Sequence, residues 1–157
     1  MKASKYKLDS IDHKILHALT LNSRMTTADI AERAGLSPTP CGRRIRQLEE
    51  AGIIEGYTAR LNPEAMGLGI CVIVAVKLSL QAPEGHEQFL KAIGQQKAIT
   101  ECLLVTGDCD YLLRIWVEDI SALAEFIPNI LQGLPCVAET STTLVLRHVI
   151  GATSNSL

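Results

Sequence analysis

A chain of 157 residues, 47% hydrophobic and 20% charged, has room for one or two small globular domains and none for a large enzyme core. No run approaches the roughly 18 uninterrupted apolar residues of a membrane span. The basic start Met1-Lys2-Ala3-Ser4-Lys5-Tyr6-Lys7 leads into Asp9 and Asp12, where a signal peptide needs an apolar stretch, so a soluble, cytoplasmic protein is expected.

The net charge of −2 conceals an asymmetry. Residues 1–61 hold ten Lys/Arg against seven Asp/Glu, a balance of +3, and residues 62–157 hold five against ten, a balance of −5. Only the first part suits a polyanionic partner. Asp9 or Ser10 can cap a first helix to about Leu21, with Ile11, Ile15, Leu16 and Leu19 forming one apolar stripe. Thr26 with Asp29 three positions on reads as a capping box for a second helix carrying Ile30, Ala31 and Ala34 and closing at Gly35.

A third helix is expected from Ser37 as N-cap, with Pro38 and Pro40 in its first turn, to about Glu50. Cys41, Ile45 and Leu48 recur at i, i+4 and i+7 and should face inward. Thr39, Arg43 and Arg46 recur at the same interval on another face, flanked by Arg44 and Gln47. Helix, glycine-containing turn and basic helix make a helix-turn-helix, whose second helix enters the major groove. Arginine's planar fork can bond guanine O6 and N7 or clamp a phosphate. The plainer reading is a solvated face on which Arg46 pairs with Glu49 or Glu50.

Thr27 and Ser37, at the helix starts, complete a candidate DNA-binding set with Thr39, Arg43, Arg44, Arg46, Gln47 and Arg60. Arg60 lies in Ile53 to Leu61, a branched and aromatic stretch expected as a short strand or two-stranded wing. Asn62 to Gly69, with one proline and two glycines, marks a linker between a domain over 1–61 and another over 70–157.

The second part reads strand (Ile70 to Leu80), helix (from Pro83 and Glu84 to about Gln96), strand (Ile99 to Thr106), turn (Gly107-Asp108-Cys109) and strand (Asp110 to Val117). A helix over Ile120 to Leu131, shortened or kinked at Pro128, and a long strand from Val137 to Val149 complete it. This order is the ferredoxin-like split βαβ arrangement, giving an α+β protein. Such a sheet carries helices on one face only. Val72, Val74, Val76 and alternate residues of Leu144 to Leu146 are expected on the other, where a second copy of the chain would cover them.

Five cysteines, an odd number at irregular spacing and mostly in apolar runs, suit reduced thiols better than a disulfide framework. A metal site at Cys102, Cys109 and His148 lacks any recognisable ligand spacing, and no metal is expected. His13, His17, His86 and His148 are scattered, and the aspartates near Tyr111 have no base or nucleophile beside them, so catalysis is not expected.

Several stretches together carry a family resemblance: Leu8-Asp9-Ser10-Ile11-Asp12-His13-Lys14-Ile15-Leu16, Asp29-Ile30-Ala31, Gly35-Leu36-Ser37, Pro40-Cys41 with Arg43-Arg44-Ile45, Leu48-Glu49, Gly52-Ile53-Ile54, Gly56-Tyr57 and Leu61-Asn62-Pro63. The chain resembles, to about residue 150, the leucine-responsive regulator and AsnC (feast/famine) family of transcription factors. The resemblance implies that the second and third helices bind double-stranded promoter DNA. It also implies that the second domain forms dimers, often four to a ring, and binds an amino-acid effector. Val105-Thr106-Gly107-Asp108-Cys109-Asp110-Tyr111 matches the family's Gly-x-x-Asp-Tyr turn. An amino acid needs acceptors for its ammonium and donors for its carboxylate. Thr106, Gly107, Asp108, Asp110 and Tyr111, with Thr140 and Thr142 on the last strand, are the candidate effector residues. The turn taken alone reads as an ordinary hairpin.

Two residues depart from the family pattern. Gly42 stands where relatives more often have a larger side chain, and Cys109 stands between the two acidic positions. Cys109 has no basic residue near it in sequence to lower its pKa, which favours no role for it over shaping a pocket or sensing thiols. Two other functions fit the residues: an architectural DNA-binding protein of low selectivity, and an amino-acid-sensing module whose first domain meets protein instead of DNA.

Overall fold

Side-chain chemistry at the helix ends sets the first sixty residues of the computed structural model, which describes residues 6–79 and 84–149; Lys2, Lys5, Leu80 and Pro83 lie outside the described residues. Helix α1 is Ser10–Leu21 and is capped by Asp9, whose Oδ1 accepts from the N–H groups of Ile11 at 2.9 Å and Asp12 at 2.8 Å. Asp12 Oδ2 accepts from the Asp9 N–H at 3.0 Å and completes a capping box.

Helix α2, Thr27–Ala34, has the expected box of Thr26 with Asp29. It stops at Gly35, whose φ of 75° is a conformation that glycine adopts without strain. Helix α3, Pro38–Glu50, keeps its expected bounds, but the Ser37 side chain makes no capping bond. Pro38 and Pro40 occupy the first and third helical positions, so the third-position N–H that a serine cap would bond does not exist.

Ile15, Leu16, Ile30, Ala31, Ala34, Cys41 and Leu48 bury a common core, with Ile45 packed against it. The N–H groups of Ile53 and Ile54 return to the Leu48 carbonyl at 2.9 and 3.1 Å, folding both side chains onto that core. Among the described residues, 55–62 carry no strand pairing, so the strand expected within residues 53–61 does not form inside the single chain. Branched residues favour a strand only where a neighbouring strand offers hydrogen bonds, and here the two isoleucines close a helix instead.

The described residues fall into two compact units, the first made of residues 6–60 together with Val149 and the second running from Leu61 to His148. The second contains β1 (Ile70–Leu78), α4 (Gly85–Ile93), β2 (Ile99–Leu104), β3 (Tyr111–Val117), α5 (Ile120–Phe126) and β4 (Val137–Leu144). The sheet order is β2-β3-β1-β4, with every pair antiparallel, which is the expected ferredoxin-like topology. The elements end earlier than expected: α4 at Ile93, β2 at Leu104 and β4 at Leu144. Helix α5 passes into a π-helical turn at Ile127–Gln132, where Pro128 has no N–H to continue the α ladder.

The two faces of the sheet are the reverse of the expectation. Val72, Val74, Val76 and Leu78 point with Leu113 and Ile115 into the core under Phe89, Ile93 and Leu131 of the helical layer. The alternate residues Ile73, Ala75, Leu112, Arg114 and Trp116 make the uncovered face. Strand β1 is apolar at both parities, so alternation could not assign its faces. On the open face Arg114 Nη2 lies 3.1 Å from Glu101 Oε2, while its buried Nε has no acceptor. Trp116 stacks on His148 at 5.6 Å between ring centroids.

Gly42 has no steric reason to be glycine. A Cβ built there meets only the Thr27 Cγ2, at 3.5 Å, an ordinary contact. Gly42→Ala should therefore stabilise the protein by up to about 1 kcal/mol, read as a higher midpoint in thermal denaturation; an unchanged or lower midpoint counts against this account.

Candidate nucleic-acid interface and ligand turn

Helix α3 presents two different faces because of its residue spacing. Cys41 and Leu48 are fully buried, and burial pushes the Cys41 thiol pKa up, so this cysteine packs and does not react. Thr39, Arg43, Arg46 and Gln47 are exposed on the outer side. Thr27 and Ser37, at the starts of α2 and α3, are also exposed, as is Arg60 in the extended stretch beyond α3. The face thus combines exposed guanidinium groups with short hydroxyl side chains, both suited to bonding phosphate oxygens.

Arg44 is placed differently from the other candidates. Its side chain is 26% exposed, and Nη1 donates to Asp9 Oδ2 and Asp12 Oδ1, both at 2.8 Å. Asp12 is 1% exposed, on the stripe that Ile15, Leu16 and Leu19 continue. The Asp12 N–H bond, assisted by the Arg44 guanidinium, holds the Asp9 carboxyl below its usual range, and the two carboxylates, Asp12 foremost, raise the pKa of Arg44. Arg44 is thus turned towards α1, away from the exposed set in which the sequence groups it. The missed signal is Asp12: an acidic residue at an apolar-stripe position demands a buried partner.

In the second domain the turn between β2 and β3 is closed by the Val105 N–H donating to the Asp110 carbonyl at 2.9 Å. Gly107 has φ of 131°, a conformation closed to ordinary side chains, which explains glycine there. Thr106, Gly107 and Asp108 are exposed. Asp110 faces inward instead: its Oδ2 accepts from the Leu78 N–H at 2.7 Å, and its own N–H donates to the Val76 carbonyl at 2.9 Å.

Tyr111 also belongs to the framework. It is 3% exposed, packs on Phe89 at 4.8 Å between ring centroids, and places its hydroxyl 2.8 Å from His86 Nδ1. Burial comes first among the causes that raise its pKa. The sequence motif groups Asp110 and Tyr111 with the ligand contacts because it records adjacency along the chain and not the direction in which alternate strand residues point. His86 and Gln132, which partner this end of the sheet, were missed for the same reason.

Thr140 and Thr142 lie on β4, opposite Val76 and Val74 of β1, so Thr140 is in the same cross-strand row as Tyr111. Thr140 Oγ1 accepts from Gln132 Nε2 at 3.0 Å, while Thr142 is exposed. A cavity of about 350 Å³ opens beside Gln132, Val137, Ala138, Glu139 and Thr140. A larger one, about 520 Å³, lies in the first domain among Asn22, Met25, Asp29, Glu32 and Arg33, remote in sequence from the predicted ligand residues. Within one chain the exposed turn is open to solvent, with unengaged groups at Thr106, Asp108 and Thr142. Among the described residues no group of three or more His, Cys, Asp or Glu side chains could hold a metal ion, and no helix is long and apolar enough to cross a membrane.

The two inward residues give a comparison within the turn. Asp110→Ala orphans the Leu78 N–H and should destabilise the domain by about 1–3 kcal/mol. Asp108→Ala, at an exposed position, should stay within about 0.5 kcal/mol of wild type. Urea unfolding of both variants checks this, and equal losses would contradict the assigned roles.

A family model described as the Lrp/AsnC ligand binding domain matches residues 71–154, and one described as winged helix-turn-helix DNA-binding matches residues 8–55. The leucine-responsive regulatory protein of Escherichia coli K12 is 43% identical over 142 residues, spanning 90% of this chain and 87% of that protein. Among solved structures, a transcriptional regulator of Neisseria meningitidis in complex with L-Met is similar, with a TM-score of 0.90, 34% identity and 96% of each chain covered. An AsnC family transcriptional regulator of Agrobacterium tumefaciens has a TM-score of 0.86 and 31% identity over 94% of this chain and 95% of its own.

Proposed function

The chain belongs to the Lrp/AsnC family of transcription regulators, and on that premise we propose how its residues divide the work of reading DNA and sensing an amino acid. It is a regulator with a helix-turn-helix DNA-binding domain and a separate ligand-binding domain, and its relatives are regulators, not enzymes. In our reading residues 1–61 form the DNA-binding domain, 62–69 the linker and 70–157 the effector and assembly domain. The protein works in the cytoplasm, where its promoters are.

The observation that carries the DNA reading is the outer face of α3, where Thr39, Arg43, Arg46 and Gln47 are all exposed while Cys41 and Leu48 hold the opposite side. Arg43 and Arg46 enter the major groove, and Thr27, Ser37, Thr39, Gln47 and Arg60 serve the backbone or neighbouring bases. A second copy covers the open sheet face, a pairing supported by the uncovered Ile73, Ala75, Leu112 and Trp116. Pairing sets two α3 helices on one duplex, and the family resemblance extends the assembly to an octamer.

Arg46→Ala should cost about 1–3 kcal/mol on a selected promoter site while leaving the assembly intact. Fluorescence anisotropy measures the first. Sedimentation velocity measures the second, with a species larger than the 17.0 kDa monomer expected for both proteins. Equal affinity of wild type and Arg46→Ala would sink the assignment.

The effector is an amino acid, a reading supported by the ligand-domain match and by the L-Met complex of the Neisseria relative. We place its contacts at Thr106, Gly107, Asp108 and Thr142, with Asp110, Tyr111 and Thr140 holding that end of the sheet in shape. The turn is open in one chain, so a neighbouring copy closes the site. Across the twenty amino acids, one or a few should raise the thermal midpoint, because a ligand bound by the folded state alone stabilises it. No shift at millimolar concentration would leave the amino-acid assignment without support.

A further inference from the structure

From the contacts of Arg44 we infer that it is a positioning residue, setting the rotation of the recognition helix about its own axis through an anchor built into the capping box of α1. This rests on the reading of α3 as the DNA-contacting helix. Arg44 follows Cys41 by three positions and precedes Leu48 by four, so it sits beside the inward stripe and not with Arg43 and Arg46. That stripe is a poor stop against rolling: Cys41 is small, and apolar contact has no directional preference. The ion pair supplies direction. Arg44 Nη1 donates to Asp9 Oδ2 and Asp12 Oδ1, each at 2.8 Å.

Both acceptors are themselves fixed. Asp12 Oδ2 accepts from the Asp9 N–H at 3.0 Å and faces the Tyr6 hydroxyl at 3.4 Å. Asp9 Oδ1 holds the N–H groups of Ile11 and Asp12. The same carboxylates that start α1 therefore fix α3. A roll of α3 swings Arg43 and Arg46 sideways across the groove floor. Base-edge bonding is lost on a small displacement, whereas attraction to phosphates survives it. The anchor accordingly governs discrimination between sequences more than affinity for DNA.

The test uses the full-length protein, a duplex it selects from a random pool, and a shuffled duplex of the same composition, each titrated over a range of salt. Asp9→Asn is the mildest variant, since asparagine caps a helix as well as aspartate while the pairing with Arg44 is weakened. It removes a negative charge, so simple electrostatics predicts tighter binding to both duplexes. The inference predicts instead a fall of roughly tenfold, about 1.4 kcal/mol, in the ratio of selected to shuffled affinity, with shuffled binding undiminished. Arg44→Lys, which loses the planar fork, should lower the ratio similarly. Arg44→Met, checked for folding by circular dichroism, should lower it without changing the salt slope.

Unchanged ratios for Asp9→Asn and Arg44→Lys would overturn the inference. So would a salt slope reduced by about one in Arg44→Met with equal losses on both duplexes, the signature of a phosphate contact. Arg43→Ala separates this from the underlying assignment. If it weakens the selected duplex while the Arg44 and Asp9 variants do not, only the positioning role fails; if it too has no effect, the DNA-facing reading of α3 fails with it.

Discussion

A carboxylate with 1% of its surface exposed is costly to bury unless its oxygens are hydrogen-bonded, and the N-terminal domain meets that demand at Asp12 with partners from the start of α1 and from α3. One oxygen receives the start of α1 and the other receives Arg44 from α3, so the first and third helices are fastened at Asp12, with Asp9 Oδ2 as the second contact to Arg44. Breaking such a buried pair strands a charge, whereas exposed pairs contribute little. The small apolar core of Ile15, Leu16, Ile30 and Leu48 supplies cohesion. The carboxylate supplies orientation, which a domain that reads base edges needs more than it needs extra stability.

The second domain meets a different requirement. Four antiparallel strands carry helices on one side, and the central strand β1 is apolar at both parities. Such a sheet leaves one face uncovered in the single chain, which is the surface on which the proposed second copy would rest. The turn between β2 and β3 sits at the end of the sheet where β1, β3 and β4 bring Asp110, Tyr111 and Thr140 into adjoining positions. Asp110 bonds the backbone of β1 through Val76 and Leu78, so the turn is fastened to the strand at the middle of the sheet.

Features governed by neighbours in sequence were legible before the structure. The Thr26 and Asp29 box, Gly35 as a stop and Pro38 as a start follow from backbone chemistry within a few residues. What was not legible depends on partners distant along the chain. Ser37 looked like a working cap, but it makes no capping bond, and Pro40 removes one of the two N–H groups it could have used. Ile53 and Ile54 looked like a strand, but no neighbour pairs them and the end of α3 claims their N–H groups. The faces of β1 could not be told apart by composition, and only the side on which Phe89 and Leu131 lie decides them. Arg44 and Asp110 stood in motifs that describe a site well along the sequence, while their side chains turn towards Asp12 and Leu78.

The uncovered sheet face carries one nitrogen that bears on the company it can keep. Arg114 Nε is buried and without an acceptor, although its Nη2 is engaged by Glu101. That N–H is already shut from water by its own chain, at about 1–3 kcal/mol, so a surface laid over the face leaves the cost as it is unless the Arg114 side chain turns. A surface that draws the guanidinium out towards a carbonyl or carboxylate would remove it. The second copy proposed for this face therefore meets a polar requirement at Arg114 as well as an apolar one at Ile73 and Leu112.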